Sequence, residues 1–212
     1  MRRLTFALLF ALSMAASAQA ELKGTFSIPG QDAMTIFFKD ENHIRLDSPE
    51  QGFLLVSGDK VYTVVNQGGM RVAIDMARMG QMIKEFQEQA PKQNDKMPEP
   101  TITATDRRET VAGYEGVVHR ITIEGATSEV VLTDDKDVVA LTRGFLNAIN
   151  RLGQSVSPDM DLDISDMLNT IDATGYPGIL RQEQGFELKS VEPVNKGADF
   201  YRLPDDVQVM GL

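Results

Sequence analysis

Residues 43–90 read HIRLDSPEQGFLLVSGDKVYTVVNQGGMRVAIDMARMGQMIKEFQEQA, and a change of period inside this stretch decides the fold. Up to residue 74 the apolar side chains alternate. Ile44 and Leu46 share one side of a short strand over 43–47, Phe53 to Val56 forms the next, and Val61 to Val65 the third. Ser57-Gly58-Asp59-Lys60 and Gln67-Gly68-Gly69 supply the turns, and Met70 to Ile74 is a further strand. From Asp75 the spacing becomes helical. Met76, Met79, Ile83 and Phe86 recur on one stripe with Met82 alongside, Asp75 is the expected N-cap, and Pro91 stops the helix.

The same grammar runs outward in both directions. Upstream, Leu22, Gly24, Phe26 and Ile28 share one face, Pro29-Gly30 turns the chain, and Ala33 to Phe38 follows. Downstream, the polar, proline-bearing residues 91–100 (PKQNDKMPEP) are expected to form a surface loop. Strands resume at Ile102 to Thr105 and Arg107 to Val111, then Val117 to Ile123 and Ser128 to Thr133. A second helix is expected over 138–152, with Val138, Leu141, Phe145, Ile149 and Leu152 on its apolar stripe. A third is expected over 158–171, capped by Ser157. Ile179 to Gln182, Phe186 to Val191 and Phe200 to Leu203 close the chain as strands. A meander interrupted by helices is an α+β pattern.

At the start, MRRLTFALLFALSMAASAQA carries a basic pair, a short apolar run from Leu4 to Ala15, and small residues at Ala18-Gln19-Ala20. This predicts a signal peptide over 1–20, cleaved after Ala20 or Ala18, and a periplasmic address. The apolar run is shorter than the roughly 20 residues that span a bilayer, so stable membrane insertion is not expected. Glu21 rather than cysteine follows the cut, so no lipid anchor is expected there. Residues 21–212 then form a single domain, long enough to bury about 70% of its unfolded surface.

Charge and composition narrow the chemistry. Losing Arg2 and Arg3 would take the net charge from −10 to −12, a poor match for nucleic acid or an anionic surface. With no cysteine, disulfides, thiolate metal sites and cysteine nucleophiles are excluded. Asp159, Asp161 and Asp163 imitate the start of a calcium loop, but Ile164 and Thr170 stand where its glycine and bidentate glutamate belong. Those carboxylates suit a helix N-terminus instead, each by about 0.3–1 kcal/mol. The two histidines, His43 and His119, lack metalloprotease spacing, and His119 reads as a hydrogen-bonded strand residue. Neither a nucleophile elbow nor a phosphate loop is present. No catalytic residue, metal or cofactor is assigned.

Thr110-Val111-Ala112-Gly113-Tyr114, the strand Val117 to Ile123, and Asp199-Phe200-Tyr201-Arg202-Leu203-Pro204 carry a resemblance. With the strand–helix–strand order, they resemble the LolA/LolB-like superfamily of bacterial periplasmic proteins, and more closely an uncharacterised exported bacterial family of that fold. The resemblance implies an incomplete antiparallel β-barrel with helices packed in its concave face, where carrier members hold acyl chains. Pro204 is followed by Asp205-Asp206 where the family's final motif has glycine. The expected function is non-enzymatic binding of an apolar ligand, a lipid or an acyl-modified chain, between sheet and helices. Met79, Met82, Phe86, Phe145 and Ile149 are the candidate lining. Methionine stripes adapt to varied apolar partners, and they equally make ordinary core. The alternatives are an envelope protein-interaction module without a small ligand, and a hydrolase with His43 or His119 beside a serine and a carboxylate.

Overall fold

The computed structural model describes residues 21–49, 52–87, 100–157 and 165–210. Residues 1–20, with the expected signal peptide, lie outside the described residues, as do the Asp159–Asp163 run and, apart from Pro100, the expected 91–100 loop.

The first six strands form the meander that alternation requires: β1 (Glu21–Ser27), β2 (Met34–Asp40), β3 (His43–Ser48), β4 (Gly52–Ser57), β5 (Lys60–Gln67) and β6 (Met70–Asp75). Helix α1 (Met76–Gln87) starts where the period changes, and Asp75 Oδ1 accepts from the amides of Ala77 (3.1 Å) and Arg78 (3.4 Å). Next come β7 (Thr101–Val111), β8 (Tyr114–Ile123) and β9 (Ala126–Thr133). Helix α2 (Lys136–Val156) is capped by Asp135, which accepts from Asp137 and Val138 N. Helix α3 (Ser165–Asp172), β10 (Gly178–Gln182), β11 (Glu187–Val194) and β12 (Gln208–Met210) complete the described chain.

All twelve strands join one open sheet, in the order β12-β6-β5-β4-β3-β2-β1-β11-β10-β9-β8-β7. Every pairing is antiparallel except β12 on β6, which is parallel. Two expectations are corrected. The separate strands at 102–105 and 107–111 are one strand, with an irregularity in register between Ala104 and Arg108. The expected strand Phe200 to Leu203 is instead a 3₁₀ turn, Ala198–Tyr201, followed by an extended strap that reaches β6. The adjacent aromatics Phe200 and Tyr201 both pack on the sheet, and a strand would point them to opposite faces.

Alternation gives the sheet two different faces. Inward point Leu22 and Phe26, Ile36 and Phe38, Ile44 and Leu46, Val56 and Val61, and these meet Val138, Leu141 and Ala148 of α2. Burying each large aliphatic side chain is worth about 1.5–3 kcal/mol. Helix and sheet approach closely because two glycines face the contact. A Cβ on Gly24 would stand 2.7 Å from Leu141 Cδ1, and one on Gly144 would stand 2.4 Å from Phe38 Cδ2. Outward point Phe53, Leu55, Val64 and Ala73, which Leu203, Val207 and Val209 of the strap cover.

The far end of the sheet curls. Arg181 on β10 makes a two-pronged bond to Glu109 on β7, at 2.9 and 2.8 Å, although β9 and β8 lie between those strands. Glu109 is held below its ordinary pKa first by that hydrogen bond, against the opposing effect of burial, with the Arg181 and Arg107 charges adding to it.

Candidate functional site

Two concavities are relevant, and they meet at one aromatic side chain. The first is an apolar mouth between the inner face and the front of α2. Phe26, Met34 and Ile36 wall it from β1 and β2, Leu141, Thr142 and Phe145 from α2, and Ile179 and Phe186 from β10 and the turn before β11. Its one hydroxyl is occupied, since Thr142 Oγ1 accepts from Ile179 N at 2.9 Å. Phe186 meets Phe26 edge-on, with centroids 5.6 Å apart, and Phe145 at 6.2 Å. The free volume is about 10 Å³, roughly the space of one water.

The second is an open cleft of about 280 Å³ on the other side of Phe186. Ser27, Ile28 and Pro29 form one wall, and Arg181, Gln182, Glu183 and Gln184 form the opposite one. Gln184 holds φ +58°, a left-handed conformation that tightens the turn between β10 and β11.

The histidines lie elsewhere. His43 Nδ1 donates to both oxygens of the Asp40 carboxylate, at 2.8 and 2.9 Å. Burial pushes Asp40 up, but the His43 and Asn42 bonds and the His43 and Lys39 charges outweigh it, leaving the carboxyl below its ordinary pKa. His119 is buried, and its Nδ1 donates to Val117 O at 2.9 Å, the hydrogen-bonded strand position that the sequence implies. Neither histidine lines either concavity or bonds to a serine among the described residues. No group of three or more metal-ligating side chains occurs among the described residues, and no helix there is long and apolar enough to cross a membrane.

No family model matches this chain. No curated protein matches it either. Among solved structures, that of PNGF-II in space group C2 aligns over 89% of this chain and 30% of its own, at 10% identity and a TM-score of 0.29. This chain therefore spans about 30% of the PNGF-II chain, and a likeness at that score carries no argument about fold or function.

Of the five residues proposed from the sequence as lining, Phe145 stands in the mouth. Ile149, one turn further along α2, is 40% exposed, and Met79 and Met82 on α1 are 37% and 55% exposed. The Phe86 side chain lies outside the described residues. The remaining walls come from strands. Phe26, Met34 and Ile36 were legible as inward strand positions, but nothing in their spacing marks where the sheet's inner face reaches solvent.

Proposed function

We propose that the protein is an exported, periplasmic, non-enzymatic binding protein with a LolA-like half-barrel, and that the apolar mouth at Phe145 is where it takes an apolar ligand. The ligand is a lipid or an acyl-modified chain. The observation that supports this is the mouth's wall, in which Thr142 is the one polar residue and its hydroxyl already has a partner. A cavity of about 10 Å³ holds no acyl chain as it stands. Loading therefore requires the Phe145 and Phe186 rings to turn aside.

The chain has no tryptophan and four tyrosines, so Phe145→Trp supplies a single indole emission that long-wavelength excitation separates from the tyrosines. Titration with a fatty acid should give a saturable blue shift, and native mass spectra of protein purified from its own host should carry a small apolar adduct. Adduct-free spectra together with unchanged emission would sink the reading.

The second reading is an envelope interaction module without a small ligand. The filled inner face favours it, as do Met79, Met82 and Ile149, which turn apolar surface outward. Crosslinking in the periplasm would then recover one recurrent protein partner and no lipid.

A further inference from the structure

Strand β1 lies inside the sheet, between β2 and β11. Its pairing begins at its first residues, with Glu21 opposite Val194 on β11 and Leu22 opposite Phe38 on β2. Strand ends ordinarily fray, but the Glu21 side chain holds this one. Its Oε2 accepts from the Lys196 amide at 2.7 Å, and its Oε1 pairs with Lys39 Nζ at 3.2 Å. These bonds tie the start of β1 to β2 and to the chain that leaves β11. The next side chain, Leu22, is buried in the core.

Glu21 and Leu22 are also the first two residues beyond the expected cut after Ala20. A peptide is commonly recognised in extended form, through its main-chain donors and acceptors. In the folded chain those of β1 are already committed to two neighbouring strands, and the first sheet residue follows the scissile bond directly. A peptidase would have to lift Glu21 off both of its ties and draw Leu22 out of the core.

We infer that the Ala20–Glu21 bond is open to a signal peptidase only before β1 is seated, so that processing precedes folding. Hydrolysis there adds water across the bond. The oxygen goes to the Ala20 carbonyl carbon, and the nitrogen leaves with a proton as the Glu21 amine. A chain that folded before crossing the membrane would keep residues 1–20. This rests on the exported reading above and adds to it the order of events.

The test incubates the full precursor, residues 1–212, with a purified bacterial signal peptidase in detergent and follows the products by intact mass. Leu141→Asp places a carboxylate in the wholly buried contact of α2 and supplies an unfolded chain with the same leader and the same bond. The folded parent should be cut about a hundredfold more slowly than this variant. Lys39→Ala removes one tie on Glu21, and its folded precursor should be cut about threefold faster than the parent. A folded parent cut only after Ala18 keeps the Ala20–Glu21 bond intact and supports the inference. Equal rates at that bond for the folded and unfolded chains, or a Lys39→Ala precursor cut no faster than the parent, would overturn it and leave the exported reading in place. An unfolded variant that is not cut at all would overturn both.

Discussion

On the inner face of the sheet, Leu141 and Gly144 of α2 press against Gly24 and Phe38, carbon against carbon. On the outer face, the Arg45 guanidinium lies 3.7 Å from the Phe53 centroid and 4.5 Å from that of Phe200, with Nε donating to Asp47 at 2.6 Å. Lys196 Nζ stands 5.4 Å from the rings of both Phe37 and Phe200, and Lys39 Nζ is 5.9 Å from that of Tyr201. A one-residue slip in either of strands β2 and β3 would exchange its two sets of side chains. Strands β2 and β3 each contribute one set of residues to a dry helix interface and the other to cations stacked on rings. The first interface depends on area and close approach. The second depends on geometry, and cation–π contacts are worth about 0.5–2 kcal/mol each.

Truncating the inner face should therefore cost the most. Leu141→Ala removes a fully buried side chain from the α2 contact, and denaturant unfolding should show a loss of about 2–5 kcal/mol. Arg45→Ala is the matching cut on the outer face and should cost about 1–2 kcal/mol, with little change in far-ultraviolet dichroism, because α2 stays docked. If the two losses come out equal, the contrast between the faces is wrong.

The curled end of the sheet sharpens the contrast with a pair that is neither apolar nor stacked. Glu109 has a depressed pKa when folded. Its contribution is present above the unfolded value of about 4.5 and fades as pH falls through the lower folded value. The side chain is 36% exposed, so the whole contribution is about 1 kcal/mol or less. Glu109→Gln should be less stable than the parent chain at pH 7, and the difference should disappear in acid. A difference that stays constant from pH 7 to pH 3 would show that the pair's charge is irrelevant to the curl.

The meander from β1 to β6 was legible because period-two alternation needs no tertiary information, and the start of α1 was legible from Asp75 and the change of period. The strap was not. Phe200 and Tyr201 look like strand residues by propensity, and it is the rings and cations waiting on β2, β3 and β4 that hold them in a 3₁₀ turn. The candidate site divides in the same way. Helical spacing puts Phe145 and Ile149 on one stripe. It does not say that β1, β2 and Phe186 wrap around Phe145 and leave Ile149 more exposed. In α1 the stripe splits between a buried Met76 and outward-facing Met79 and Met82, because α1 rests on α2 at Gly80, where a Cβ would stand 2.2 Å from Ser155 O.

Tyr201 is wholly buried at the foot of the strap, and its hydroxyl has no hydrogen-bond partner among the described residues. Burial first, then the Glu21 and Asp40 charges, hold the phenol well above its ordinary pKa, so it stays neutral.

The strap also pairs with the edge of the sheet. Its last three described residues, Gln208–Met210, lie parallel along β6 and occupy the backbone donors and acceptors at that end of the sheet, and Arg71 on β6 pairs with Asp206 beside them. At the opposite end, β7 breaks its register near Arg107 and Arg108, which puts a bulge and two cations on the outermost strand. Open sheets recruit one another through unpaired rims. At one end of this open sheet the rim is shortened to the three residues of β12, and at the other it is bent at the irregularity of β7.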